Sequence, residues 1–119
     1  MATGTIQKNM VLLWENPNPN NEFSAQTLSL DLSNYDAVAV VAKHWSDNDA
    51  RRIELAMVGS DRMVLTIQSP TDIRIQTLRL YKVTTSGIQF QGGKGMNASG
   101  GTYDSNYAAI PLQIFGIKA

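Results

Sequence analysis

The 119-residue sequence predicts an all-β fold: an antiparallel, jelly-roll-like sandwich of about eight strands, in a single domain over residues 1–119. Three observations lead there. Seven Val, nine Ile and nine Thr make a β-branched share that suits a pleated surface better than a helix. Apolar side chains recur at a spacing of two in several short runs. Turn-forming residues break those runs roughly every 8 to 12 residues, with no helical stretch between them.

In chain order, Met10 to Trp14 is continuously apolar, the pattern of a strand covered on both sides or lying inside a sheet, and Trp14 is assigned to the core. Asn16, Pro17 and Pro19 then stop pairing, because proline lacks the amide donor. Leu28, Leu30 and Leu32 alternate with polar residues, and the run Leu30 to Asp36 closes into an Asx-type turn that places Tyr35 over the sandwich edge. Ala37 to Ala42 is again continuously apolar. Asp49 to Val58 admits a helix capped by Asp49, but the two-residue spacing of Ile53, Leu55 and Met57 favours a strand with that face buried. Gly59-Ser60-Asp61 would then join it as a hairpin to Met63, Leu65 and Ile67. Alternation changes phase between Ile75 and Leu78, with Ile73 and Ile75 on one parity and Leu78 and Leu80 as the apolar positions on the other, which predicts a bulge near Gln76 and Thr77. Ile88 and Phe90 mark a further strand. Pro111, near the start of the last strand, is tolerable there if that strand lies on a sheet edge.

Residues 92–106, GGKGMNASGGTYDSN, hold five glycines and almost nothing to bury. They predict a long exposed loop, a feature that in compact domains is either functional, as a contact segment, or simply flexible. Deleting Gly93 to Ser105 is therefore expected to spare the fold and remove ligand binding.

Composition narrows the chemistry. Ten basic and ten acidic residues cancel, so no positive field gathers nucleic acid or an anionic membrane. The absence of cysteine excludes disulfides, thiolate zinc sites and cysteine nucleophiles. Met1 to Lys8 lacks the charged start and apolar run of a secretory signal, and the longest apolar stretch is far below the roughly 20 residues of a spanning helix. No membrane insertion is expected. Gly92-Gly93-Lys94-Gly95 lacks the Ser or Thr after lysine, and the following helix, that a phosphate loop requires. Asp47-Asn48-Asp49 lacks the glycine and the glutamate of a calcium loop. Glu15, Glu22 and Glu54 share no spacing that defines a glycosidase cleft, and the single histidine, His44, has no nucleophile motif beside it. Neither cofactor, metal nor catalytic residue is expected, and His44 reads as a partly buried structural imidazole or one at a subunit contact. The remaining candidates are Trp45, Tyr103 and Tyr107 with Asn97 and Asp104, aromatic and polar residues of the kind that recognition loops and sugar-stacking surfaces use.

Leu13-Trp14, Asn16 with Pro17 and Pro19, Phe23 to Thr27, Leu30 to Asp36, Ile110-Pro111-Leu112 and Gly116-Ile117-Lys118 together resemble small β-sandwich modules of bacteriophage virion structural proteins, of the tail, tip or head fibre and appendage type. The resemblance covers both ends and the first third of the chain. It implies a non-enzymatic virion component, made in the host cytoplasm, that acts by self-assembly, with a homotrimer favoured. The implied partners are other virion proteins and a host cell-surface glycan. A monomeric carbohydrate-binding module is the alternative.

Overall fold

The computed structural model describes residues 10–118 and, within them, all side chains except those of Asn48 and Asp49. Met1 to Lys8, read above for a targeting signal, lies outside the described residues. Nine strands and no helix form two antiparallel sheets: β1 (Met10–Glu15), β2 (Gln26–Ser29), β3 (Ala37–Trp45), β4 (Asn48–Met57), β5 (Met63–Gln68), β6 (Gln76–Thr84), β7 (Gly87–Met96), β8 (Thr102–Asp104) and β9 (Ala108–Ile117). The first sheet has the order β1-β9-β3-β4 and the second β2-β7-β6-β5, with β8 added beside β7. First and last strands pair, and β2 pairs with the late strand β7, the nested closure of a jelly roll.

Between the sheets lies one core. Leu32, Val38, Val40, Leu65, Val83, Ile88, Ile110 and Ile114 are fully buried in it. Each contributes about 1.5–3 kcal/mol relative to an exposed position. Trp14 is half-buried and meets Phe23 edge-on at 6.0 Å, and Phe23 in turn meets Phe90 at 5.5 Å. Asp31 accepts the Ser33 amide, closing the expected Asx turn, and Tyr35 packs across Gly116.

Several expectations need correction. The strand β4 does not form a hairpin with β5, since the two belong to different sheets; its hairpin partner is β3, through a tight turn after Trp45. Its alternating apolar side chains face outward: Ile53, Leu55 and Met57 are 54%, 64% and 62% exposed. The strand β1 is an edge strand with Val11 and Leu12 exposed, so its apolar run does not mean cover on both sides. In β6 the inward residues are Thr77, Arg79, Tyr81 and Val83, not Leu78 and Leu80, and the register shift falls between Arg79 and Tyr81 rather than at Gln76 and Thr77. Pro111 sits in β9, a central strand, where a shift opposite Val41 and Ala42 accommodates its missing amide. Its carbonyl accepts the Asn16 side-chain amide at 2.9 Å.

Residues 92–106 are not one loop. The strand β7 runs on through Met96, residues 97–101 turn, and β8 returns along Lys94, Gly95 and Met96. Deleting Gly93 to Ser105 would thus remove paired backbone and, as shown below, the surroundings of a buried cation.

The outer face of the first sheet consists of cross-strand rows. Met10, Ile117, Ala37 and Met57 form one, and Leu12, Phe115, Ala39 and Leu55 the next. Glu15, Gln113, Val41 and Ile53 complete a third. The second sheet instead turns Lys82, Gln89 and Gln91 outward among its apolar residues.

Candidate functional site

At the end of the sandwich where β3 turns into β4, three aromatic rings from separate chain segments converge. Trp45 lies with its ring centroid 6.3 Å from Tyr103 on β8 and 6.3 Å from Tyr107, just before β9. Both tyrosines are exposed at 36% and 39%, while Trp45 is half-buried between them and the sheet. Such tilted and edge-on arrangements hold rings in place while leaving faces open to a ligand. The Ser46 amide donates to the Tyr107 carbonyl at 3.1 Å, tying the β3–β4 turn to the approach of β9.

Two glycines of β7 make this assembly possible. A Cβ on Gly95 would lie 2.3 Å from the Tyr103 ring, so the ring lies directly against the bare backbone. A Cβ on Gly93 would lie 2.2 Å from the Ser105 carbonyl and 2.6 Å from that of Ala108. These are the close approaches for which a strand uses glycine, and they erase the alternation that would have marked the segment as β structure.

Beneath the glycines sits Arg79, fully buried. Its guanidinium donates to five backbone carbonyls: Nε to Ala109 at 2.9 Å, Nη1 to Phe23 at 2.8 Å and Gln91 at 2.7 Å, Nη2 to Ala108 at 2.8 Å and Asn106 at 3.4 Å. Its charge also lies 5.2 Å from the centre of the Phe23 ring. Among the described residues the ion pairs are Arg74–Asp72, Lys82–Asp61 and Lys94–Asp104, so carbonyl dipoles rather than a carboxylate solvate this cation. Burial lowers its pKa to about 10, which leaves it charged at neutral pH. The carbonyls it gathers belong to the segment before β2, the irregular middle of β7 and the segment carrying Tyr107. Ala109 has φ +48°, a conformation that costs a non-glycine residue about 1–3 kcal/mol, and Arg79 holds its carbonyl. Arg79 is therefore the positioning residue of the aromatic end.

The other sequence candidates divide. Asp104 is exposed beside Tyr103 and pairs with Lys94 at 2.8 Å. A groove of about 440 Å³ runs there, lined by Gln76, Leu78, Met96 and Thr102 along with Lys94, Tyr103 and Asp104. Asn97 serves the turn instead, its Oδ1 accepting from the Ser99 hydroxyl at 2.7 Å and the Gly101 amide at 2.9 Å. Sequence reasoning missed Arg79 and the groove residues Gln76, Leu78, Met96 and Thr102. The available signal for Arg79 was its shared parity with Tyr81 and Val83, outweighed by the rarity of buried arginine.

His44 lies beneath Trp45, buried, with Nδ1 3.0 Å from Thr77 Oγ1 and 3.3 Å from the Ile67 carbonyl. The Thr77 hydroxyl donates to the His44 carbonyl at 2.9 Å, so Nδ1–H is the donor to Thr77. Burial pushes the imidazole below its ordinary 6.5, against an opposing pull from Ile67 and Asp47. The unfolded chain takes up this proton at higher pH than the folded one, so the contribution to stability is complete above about pH 6.5 and is lost as pH falls below it. The melting temperature is expected to drop between about pH 7 and 5, and His44→Asn to flatten that part of the profile. Thermal melts of both proteins across the range check it; parallel profiles would show that His44 does not titrate this way. Tyr81, whose hydroxyl donates to Glu54 Oε1, has its pKa raised mainly by burial.

The site thus defines an all-β sandwich with an aromatic, mixed-charge surface at one end. Set against protein-family models, curated proteins and solved structures, the chain matches none of them.

Proposed function

We propose that this chain is a non-enzymatic bacteriophage virion structural module, of fibre-knob, appendage or decoration type, that acts by joining copies of itself and by contact with a host surface. The observation that carries the contact role is the convergence of Trp45, Tyr103 and Tyr107 at one end, with Lys94 and Asp104 beside them. Aromatic faces stack on the apolar faces of sugar rings, and a flanking cation and carboxylate supply hydrogen bonds to hydroxyls. This favours a host cell-surface glycan as ligand. Support for the virion setting is the resemblance of residues 12–41 and 107–118 to phage sandwich modules, together with the all-β architecture. In this reading the protein resides in the virion, a homotrimer beside other virion proteins, and engages no nucleic acid.

Tyr103→Ala is expected to weaken binding to a panel of bacterial cell-wall glycans roughly three- to tenfold, the worth of one aromatic stack, with the melt little changed. Equal retention of both proteins by a glycan that binds would remove the rings from the contact. The absence of binding to every glycan, to cells and to purified virions would overturn the contact role. The same rings favour a second reading, a monomeric carbohydrate-binding module, and the two separate on mass in solution.

A further inference from the structure

Over the three rows described above, the outer surface of the first sheet is covered by nothing described in this chain. The rows of Met10 to Met57 and of Leu12 to Leu55 contain no ionisable side chain, and exposure is high at the flanks, on Leu12 of β1 and on Leu55 and Met57 of β4. At the centre Ala39 is fully buried despite facing outward, because the larger Leu55 and Phe115 stand on either side of it. The result is a shallow apolar trough along β3 with raised apolar borders. One end is closed by the segment after β1, where Asn20 accepts a hydrogen bond from Lys43 at 2.8 Å.

We infer that this face is the surface through which copies of the chain assemble, turned inward around an axis that runs along the strands. The inference rests on the self-assembly reading above and names its surface. Rotation about such an axis keeps every residue at its height along the strands, so the β1 border of one copy meets the β4 border of the next. Leu12 then faces Leu55, which share a cross-strand row. Glu15 comes level with Ile53 and lies one row, about 7 Å, from Arg51, within reach of two long side chains. Both are exposed, at opposite borders of the face, so each contact between neighbours pairs a carboxylate with a guanidinium at the rim of an apolar centre. A second copy satisfies both requirements with the same surface.

Size is consistent with this occupant. Four strands about 4.8 Å apart and three rows about 7 Å apart give a footprint of roughly 400 Å². Summed over three copies this is roughly 1,200 Å², divided among three contacts of about 400 Å² each, the range of weak assemblies that come apart on dilution. Residues 1–9 offer only Met1, Ala2 and Ile6 as apolar cover, far less than the face exposes.

Light scattering on the full chain tests the assignment. The wild type is expected as a trimer of the 13.0 kDa chain, Leu55→Asp as a folded monomer, and Gln89→Asp, on the outer face of the other sheet, as an unchanged trimer. Glu15→Arg and Arg51→Glu are each expected to weaken assembly about tenfold, and the double exchange to restore it; this set decides the matter if Leu55→Asp fails to fold. An assembled wild type unaffected by Leu55→Asp, or charge exchanges without mutual rescue, would overturn this surface while self-assembly stands. A 13.0 kDa wild type at every concentration would overturn the self-assembly reading itself.

Discussion

Arg79→Met is expected to lower the folding free energy by about 3–5 kcal/mol, read as a reduced denaturant midpoint in equilibrium unfolding. Methionine has nearly the length of arginine but donates nothing. The carbonyls of Phe23, Gln91, Ala108 and Ala109 would each lose a hydrogen bond shorter than 3 Å in a place with little access to water. An orphaned buried acceptor costs about 1–3 kcal/mol, and water entering from the exposed side offsets part of the total. Arg79→Lys should recover little, because one ammonium cannot reproduce a planar fork aimed at five oxygens. Since these carbonyls fix the backbone of Tyr107, near-ultraviolet circular dichroism from the Trp45 cluster should fade before the sheet signal does. A loss under about 1 kcal/mol would mean that the surrounding segments hold their positions without the guanidinium.

Gly93→Ala is expected to cost about 3 kcal/mol, through overpacking rather than conformational preference. The added methyl would meet the Ser105 and Ala108 carbonyls at 2.2 and 2.6 Å and Arg79 Nη2 at 2.9 Å. Two of those neighbours are backbone and the third is held by its own hydrogen bonds, so none yields easily. Gly100→Ala provides the comparison: its φ is +89° but no atom lies within 4 Å, so only backbone strain of about 1 kcal/mol applies. Denaturation of both variants should rank them in that order. Equal effects would mean that β7 and β8 can separate at little cost.

Much of the fold was legible because burial follows pattern where a strand is central. Ala37 to Ala42 read as an interior strand and lies inside the first sheet. Leu65, Ile67, Ile88 and Phe90 read as inward and are buried. The pattern misled where burial is not the reason for an apolar side chain: Ile53, Leu55 and Met57 alternate perfectly yet face out. Periodicity reports that one face of a strand is apolar, and it is silent on which side of the sheet that face lies. The same limit applied to β6, where an inward arginine made Leu78 and Leu80 look like the core face. Glycines that mark close packing against Tyr103 and Ser105 concealed the end of β7 and all of β8.

At the candidate site, Trp45, Tyr103 and Tyr107 were recognisable individually as aromatic residues near loop-like composition. Their convergence was not, since it depends on Arg79 drawing together segments far apart in sequence. Asn97 carried the same residue-type signal, and its amide oxygen closes the turn at 97–101 instead. Residue type suggests a contact surface, but backbone hydrogen bonding decides which polar side chains remain for it.

Sedimentation of the wild-type chain over a wide range of concentrations tests most directly whether this protein works by adhering through its surfaces. The expected result is a discrete assembled species, three times the 13.0 kDa chain, that dissociates on dilution. A single 13.0 kDa species at every concentration would contradict it.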